Sequence, residues 1–178
     1  MAITGFKDTK IDDIESFFDS VRSKSLNVDA IQFFDAKPIA TWQHLYFAAI
    51  NALTAFANKT NISNNLAMET LLYASAQRQI KKATETFGVK PTTRNIAVLV
   101  LAKDQKSACD ALDFVKKLTS AELDDKVLEI TREKFIGIKR FFGISDVEMS
   151  AKLERKGLEK ETLIDLVIER GALVATQR

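Results

Sequence analysis

The sequence has very little of the residues that build disulfides, metal centres and phosphate-binding loops. It contains one cysteine, Cys109, and one histidine, His44, among 178 residues. A single cysteine excludes an internal disulfide, which fits a reducing compartment such as the cytoplasm. One cysteine and one histidine also fall short of the roughly four ligands of a closed zinc site. The six glycines are isolated from one another, so no glycine-rich phosphate loop is predicted.

Long apolar runs and a strong charge of either sign are missing as well. No apolar run approaches the ~20 residues of a membrane span, and the N-terminus MAITGFKDTK lacks the layout of a signal peptide. We therefore expect a cytoplasmic protein without a membrane partner. The net charge is only +2, from 26 basic and 24 acidic residues. Broad binding to duplex nucleic acid needs more basic charge, so any nucleic-acid site is expected to be a local patch for an end or a single strand.

What remains is the composition of a helix-rich globular protein. Hydrophobic residues make up 46% of the chain and charged residues 28%. A chain of this length predicts one domain over residues 1–178. The apolar patterns predict strands at 3–6, 28–34, 96–102 and 126–130 and helices at 12–24, 42–58, 104–118, 131–143, 145–155 and 160–174. The expected fold is α/β: a small mixed sheet of about four strands with helices packed on both faces.

The central stretch Lys59–Ile80 is the most informative part of the chain. It opens with a polar run of Lys59, Thr60, Asn61, Ser63, Asn64 and Asn65. The small and apolar residues that follow lie almost all round a helix, so its middle should be buried and its ends should carry the polar chemistry. Its basic continuation is expected to end at Gly88. The first end has unpaired N–H groups and Lys59 beside it, which is the make-up of an anion site.

Two interpretations of this segment follow from its side chains. Arg78, Gln79 and Lys82 could grip a phosphate and a base edge, or they could form a solvated helix end. The alternative is a small enzyme with an anion-binding pocket around Asn61, Ser63, Glu69 and Arg78. Glu69 is flanked by apolar residues, so it should pair with a basic group or accept bonds from backbone N–H groups.

The final helix carries more apolar residues than a surface helix of a small domain needs: Leu163, Ile164, Leu166, Val167, Ile168, Leu173 and Val174. Core packing and a docking surface explain this width equally well.

The central segment also resembles a known family. The residues that carry the resemblance are Asn61-Ile62-Ser63, Leu66, Glu69, Leu71-Leu72-Tyr73, Ser75, Arg78-Gln79-Ile80, Ala83 and Phe87-Gly88-Val89. Their order is similar to that of the small kinase-binding subunit of the KEOPS (EKC) complex, closest to archaeal relatives of the PRPK-binding protein. A weaker similarity continues through 96–102 to 166–175.

The resemblance implies a non-catalytic subunit without a cofactor or metal. It would bind the kinase-like ATPase subunit of the complex and hold the 3′ CCA end of tRNA for threonylcarbamoyl-adenosine modification. The RNA-binding residues would be Lys59, Asn61, Ser63, Arg78, Gln79 and Lys82. The kinase interface would include Ile164, Ile168 and Leu173, with the helix that starts at Trp42 as the next candidate surface.

Overall fold

Four strands and eight α-helices make up the fold in the computed structural model, which describes residues 1–176. The strands are β1 (Ala2–Lys7), β2 (Ala30–Asp35), β3 (Ile96–Leu101) and β4 (Glu122–Leu123). The helices are α1 (Ile14–Ser23), α2 (Trp42–Ala57), α3 (Leu66–Ser75), α4 (Ile80–Phe87), α5 (Gln105–Thr119), α6 (Arg132–Phe141), α7 (Asp146–Lys152) and α8 (Glu159–Ala172). Short 3-10 helices cover Asp125–Leu128 and Leu173–Ala175.

The sheet has the strand order β2-β3-β1-β4, and helices cover both of its faces. The helix-rich α/β class is therefore confirmed. All three pairings are antiparallel, so the sheet is not mixed. β3 lies in the middle and every one of its six residues is buried, as expected for a continuous run of apolar side chains.

Alternation along β3 separates two cores. Ala97, Leu99 and Leu101 join the core that contains α2, α3 and α8. Ile96, Val98 and Val100 join a second core under α1 and α5. Successive side chains of a strand point to opposite faces, so one central strand supplies both cores.

The prediction of a strand at 126–130 was wrong. Residues 125–128 form a 3-10 helix, and the fourth strand is the two-residue β4. The Asp124 side chain accepts a bond from the Lys126 N–H at 3.1 Å, and this local turn replaces ladder pairing. The Asp125 carboxylate instead holds β1, because it accepts bonds from the Thr4 hydroxyl at 2.7 Å and the Gly5 N–H at 2.9 Å.

The central helix does not continue unbroken into its basic extension. It ends at Ser75 because Ala76 has the left-handed φ of 51° and the Gln77 N–H turns back to the Leu72 carbonyl at 3.0 Å. The chain then restarts as α4 at Ile80. Gly171 of α8 lies so close to this end that an added Cβ would be 2.8 Å from the Tyr73 carbonyl oxygen. The approach of α8 therefore helps to fix where α3 stops.

His44 connects α2 to α3 inside the first core. Its Nε2–H donates to the Ala74 carbonyl at 2.8 Å, and its Nδ1 accepts the Ala40 N–H at 3.3 Å. The ring also packs edge-on against Phe87 and Phe142. Burial holds the pKa of His44 near 4, partly offset by the bond to Ala74 and reinforced by the Lys134 charge. The residue is a neutral core histidine.

Candidate interaction surfaces

The polar run before α3 is organised by the buried carboxylate of Glu69. This carboxylate accepts the Ile62 N–H at 3.0 Å and the Ser63 N–H at 2.7 Å. Asn65 then caps α3 by accepting the Met68 N–H at 3.0 Å. The expectation that Glu69 would accept bonds from backbone N–H groups is confirmed. The loop is therefore a rigid, preformed structure.

This arrangement bears directly on the anion-pocket interpretation. The N–H groups of Ile62 and Ser63 already donate to Glu69, and a carboxylate at that position repels a second anion. Arg78 lies at the opposite end of α3, beyond Ala76, and its guanidinium donates to the Val174 carbonyl at 2.9 Å. The four residues of the proposed enzyme pocket are thus divided between the two ends of α3.

A groove of about 900 Å³ runs beside α3. One wall consists of residues from α1, the loop after it and the edge strand β2, and the other consists of Ser63–Met68, with Phe56 and Ile80 also lining it. Three kinds of side chain meet there: the aromatic rings of Phe18 and Phe56, the basic groups of Arg22 and Lys24, and the amides of Asn64 and Asn65. These are the group types that bind a single-stranded nucleic acid by stacking, charge and edge recognition.

Of the six predicted RNA-binding residues, Ser63 is the one that lines this groove. Ser63 lines it and is buried, and Asn61 is partly buried with its side-chain amide donating to the Ser63 carbonyl at 3.0 Å. Lys59 is exposed in the loop after α2, with a left-handed φ of 55°. Gln79 precedes Ile80, which lines the groove. Arg78 and Lys82 are exposed on either side of Gln79.

The sequence did not identify the groove residues outside the central segment. Phe18, Arg22 and Lys24 belong to α1 and its following loop, about forty residues before Ser63. They meet the central segment because the groove runs along β2. Since β2 is an edge strand, residues from α1 and from the start of α3 can both reach it. No local pattern signals such a contact, because it depends on the strand order.

α2 has an unusual distribution of side chains. Its buried positions are mostly small, namely His44, Leu45, Ala48, Ala49, Ala52 and Ala55. Its large apolar side chains face solvent, namely Trp42, Tyr46, Phe47, Ile50 and Leu53, and they are 37–53% exposed. Residues 42, 46, 50 and 53 follow helical spacing and form one stripe. We call these five exposed residues the α2 face.

The predicted interface residues of α8 are less exposed. Leu163, Leu166, Val167 and Val174 are core residues, so core packing explains most of the apolar width of this helix. Ile164 and Ile168 are half-buried, and Leu173 is 45% exposed. Ile164 and Ile168 lie on α8, which packs against α2, and Leu173 begins the 3-10 helix that follows α8.

Comparison with known proteins identifies the family. The family model described as kinase binding protein CGI-121 matches residues 9–175. A curated relative, regulatory protein Cgi121 of Methanocaldococcus jannaschii, is 31% identical over 135 residues, which cover 76% of this chain and 83% of the relative. This chain belongs to the CGI-121 family. The resemblance to the kinase-binding KEOPS subunit, based on residues 61–89, is therefore confirmed.

Both surfaces lie within the part of the chain that the CGI-121 family model matches, because residues 9–175 include α1 through α8. None of the helices in residues 1–176 is both long and apolar enough to cross a membrane. The α2 face is therefore an exposed apolar surface on a member of a kinase-binding family.

Proposed function

We propose that this chain is a non-catalytic, cytoplasmic subunit of the KEOPS complex that binds the kinase-like ATPase subunit and recruits tRNA by its 3′ CCA end. The bound tRNA would be delivered for threonylcarbamoyl-adenosine modification. The observation that carries the proposal is the distribution of side chains on α2 in a member of the CGI-121 family. The groove beside α3 supports the RNA part.

The α2 face supports kinase docking because its composition suits the centre of a protein interface. A helix that is apolar on all sides is normally buried on all sides, yet one side of α2 is open to solvent. Aromatic residues dominate the energetically important positions of interfaces, and three of the five exposed residues are aromatic. Tyr46 already lies edge to face with both Trp42 and Phe47, so these three side chains would lose little entropy on binding.

The residues of α8 extend this docking surface in the proposal. Ile164 and Ile168 lie on α8 beside α2, Leu173 directly follows α8, and all three are partly open to solvent. Interface energy concentrates in the central anchors, whereas peripheral contacts mainly exclude water. We therefore place the α2 face at the centre of the kinase interface and these three residues at its rim.

The groove supports recognition of a single-stranded RNA end. Phe18 and Phe56 provide rings on which bases can stack, and each stacked base contributes about 1–3 kcal/mol. Lys59 and Lys82 are exposed and form no ion pair within residues 1–176, so both can approach phosphates without breaking an existing contact. A small number of free basic groups fits a chain whose net charge is only +2.

The proposed mechanism is tethering. A subunit that holds the kinase by one surface and tRNA by another raises the effective concentration of tRNA at a neighbouring active site without performing chemistry. The buried polar groups fit this role: Glu69 is engaged by backbone N–H groups, and His44 is enclosed and neutral. Neither group is placed to transfer a proton to a bound substrate.

The test of the proposal uses the wild-type protein and two RNAs, a tRNA and the same tRNA without its terminal CCA. Filter binding should show that the trimmed tRNA binds at least tenfold more weakly. A CCA-ended minihelix should compete with the intact tRNA, whereas phosphorylated metabolites at millimolar concentration should not. Equal affinity for the two tRNAs would remove end recognition from the proposal. Calorimetry with the purified kinase-like subunit tests the proposed kinase binding. The absence of binding would contradict that part of the proposal.

A further inference from the structure

A second cavity opens at the N-terminal end of the α2 face. Its volume is about 370 Å³, and it is lined by Ile3, Thr41, Trp42, Gln43, Asp125, Leu128 and Glu129. The indole of Trp42 is 53% exposed. The cavity therefore continues the α2 face and shares Trp42 with it.

The charged residues that line this cavity are both acidic. Asp125 and Glu129 both contribute to its wall, and neither has a basic group within 4 Å in the described part of the chain. The nearby Lys7 pairs with Glu122 and Asp124, and the Lys134 ammonium donates to the Val127 carbonyl at 2.9 Å. Two carboxylates thus remain without a cationic partner at the edge of an apolar docking surface.

Thr41, the residue before α2, also lines the cavity, and its side chain makes no capping bond to the helix. A helix N-terminus alone would favour an anion. The carboxylates of Asp125 and Glu129 exclude an anion from this cavity.

We propose that the cavity takes a cationic side chain, an arginine, from the kinase-like subunit docked on the α2 face. The guanidinium would stack on Trp42 and donate to Glu129 and Asp125. Arginine suits this environment because its planar group combines stacking on an aromatic ring with bidentate bonds to carboxylates. This inference rests on the proposed kinase docking and names the chemistry of the partner at one end of that surface.

The experiment measures the dissociation constant for the purified kinase-like subunit by calorimetry at two salt concentrations. Glu129→Gln should weaken binding about tenfold, and Glu129→Lys about 100-fold, because charge reversal places a cation beside the incoming cation. Trp42→Leu keeps an apolar side chain but removes the indole face, and should weaken binding about fivefold. Glu129→Gln should also reduce the salt dependence of binding.

Two control variants separate this inference from the docking proposal. Asp110→Asn removes an exposed carboxylate from α5, on the opposite face of the sheet, and should leave the affinity unchanged. Tyr46→Glu lies in the α2 face but outside the cavity, and should abolish binding. If Tyr46→Glu abolishes binding while both Glu129 variants bind within twofold of wild type, the cationic partner is wrong and the docking surface stands. If none of these variants changes the affinity, the docking surface is wrong as well.

Discussion

α2 and α3 follow each other in the chain and pack against each other, yet they expose different parts of themselves. α3 is buried from Glu69 to Ser75, and only its two ends reach solvent with polar groups. α2 turns alanines inward and aromatic residues outward, so its side is the exposed part. Two apolar helices of similar composition can therefore serve different surfaces: α2 presents an apolar side suited to a protein, and α3 presents polar ends suited to RNA.

The largest expected effect tests whether the two helices differ in burial. Leu72→Asp in α3 should unfold the protein, because Leu72 is fully buried and an unpaired carboxylate there costs several kcal/mol, comparable with the whole stability of a domain. Phe47→Asp in α2 should change the melting temperature by only a few degrees, because Phe47 is 43% exposed. Thermal melts followed by circular dichroism would compare them. A similar fall in melting temperature for both variants would contradict the difference in burial between α3 and this side of α2.

The second prediction concerns His44, whose bond to the Ala74 carbonyl joins α2 to α3. The native pKa of His44 is about 4, below its ordinary 6.5, so the unfolded chain binds more protons than the native protein between these values. Stability should be fully present above pH 6.5 and should fall as the pH drops toward 4, by about 3 kcal/mol in all. Urea unfolding from pH 4 to pH 8 measures this loss.

His44→Gln provides the control for that series. Carboxylates such as Glu148, whose pKa is lowered to about 2 by bonds from Ser145 and Arg170, also lose stabilisation in acid, but they do so equally in both proteins. The difference between wild type and His44→Gln therefore isolates the imidazole. A wild-type curve parallel to that of the variant from pH 4 to 6.5 would show that the ring is not buried as described.

The sequence predicted much of the framework and little of the surfaces. The β3 run and the apolar face of α8 were recognised because burial on both sides of a strand and helical spacing both leave local patterns. The break after Ser75 left none, because Ala76 is neither glycine nor asparagine, the usual residues at a left-handed helix end. The contacts found at this break, the close approach of Gly171 and the bond from Arg78 to Val174, join residues almost one hundred positions apart.

In the candidate site, too, the sequence predicted the features that rest on local contacts and missed those that rest on distant ones. The polar run and Glu69 were recognised because their contacts are local in sequence: Asn65 accepts the N–H of the residue three positions later, and Glu69 accepts the Ser63 N–H six positions earlier. The direction of the α2 side chains could not be read from spacing, because apolar residues surround that helix on all sides. Which side faces the core is decided by α3 and α8, which pack against α2.

The third prediction separates the two surfaces by kinase binding. Tyr46→Glu should weaken binding of the kinase-like subunit at least 100-fold, because it places a charge at the centre of an apolar interface. Ile168→Glu and Leu173→Glu, at the proposed rim, should weaken it about fivefold. Arg78→Ala and Lys82→Ala should leave it within twofold of wild type. Calorimetry on folded variants decides the order, and a larger effect at Ile168 than at Tyr46 would move the interface centre to α8.

The smallest expected effect concerns RNA, and the experiment measures tRNA binding by variants of the same two surfaces. Arg78→Ala and Lys82→Ala should weaken binding of CCA-ended tRNA, and each lost phosphate contact should lower the slope of log affinity against log salt by about 0.7–0.9. Tyr46→Glu should bind tRNA as wild type does, and Lys106→Ala, which removes an exposed lysine from α5 on the other face of the sheet, is the matched charge control. Because Arg78 also donates to the Val174 carbonyl, its variant needs a melting curve beside the binding data.

Removing the CCA from the tRNA should weaken binding to the wild-type protein more than binding to the Arg78 and Lys82 variants, since the tail and these side chains would then contribute to the same contact. A CCA effect of equal size in all the proteins would mean that Arg78 and Lys82 act independently of the tail, and would leave the groove beside Ser63 as the place where the RNA end binds.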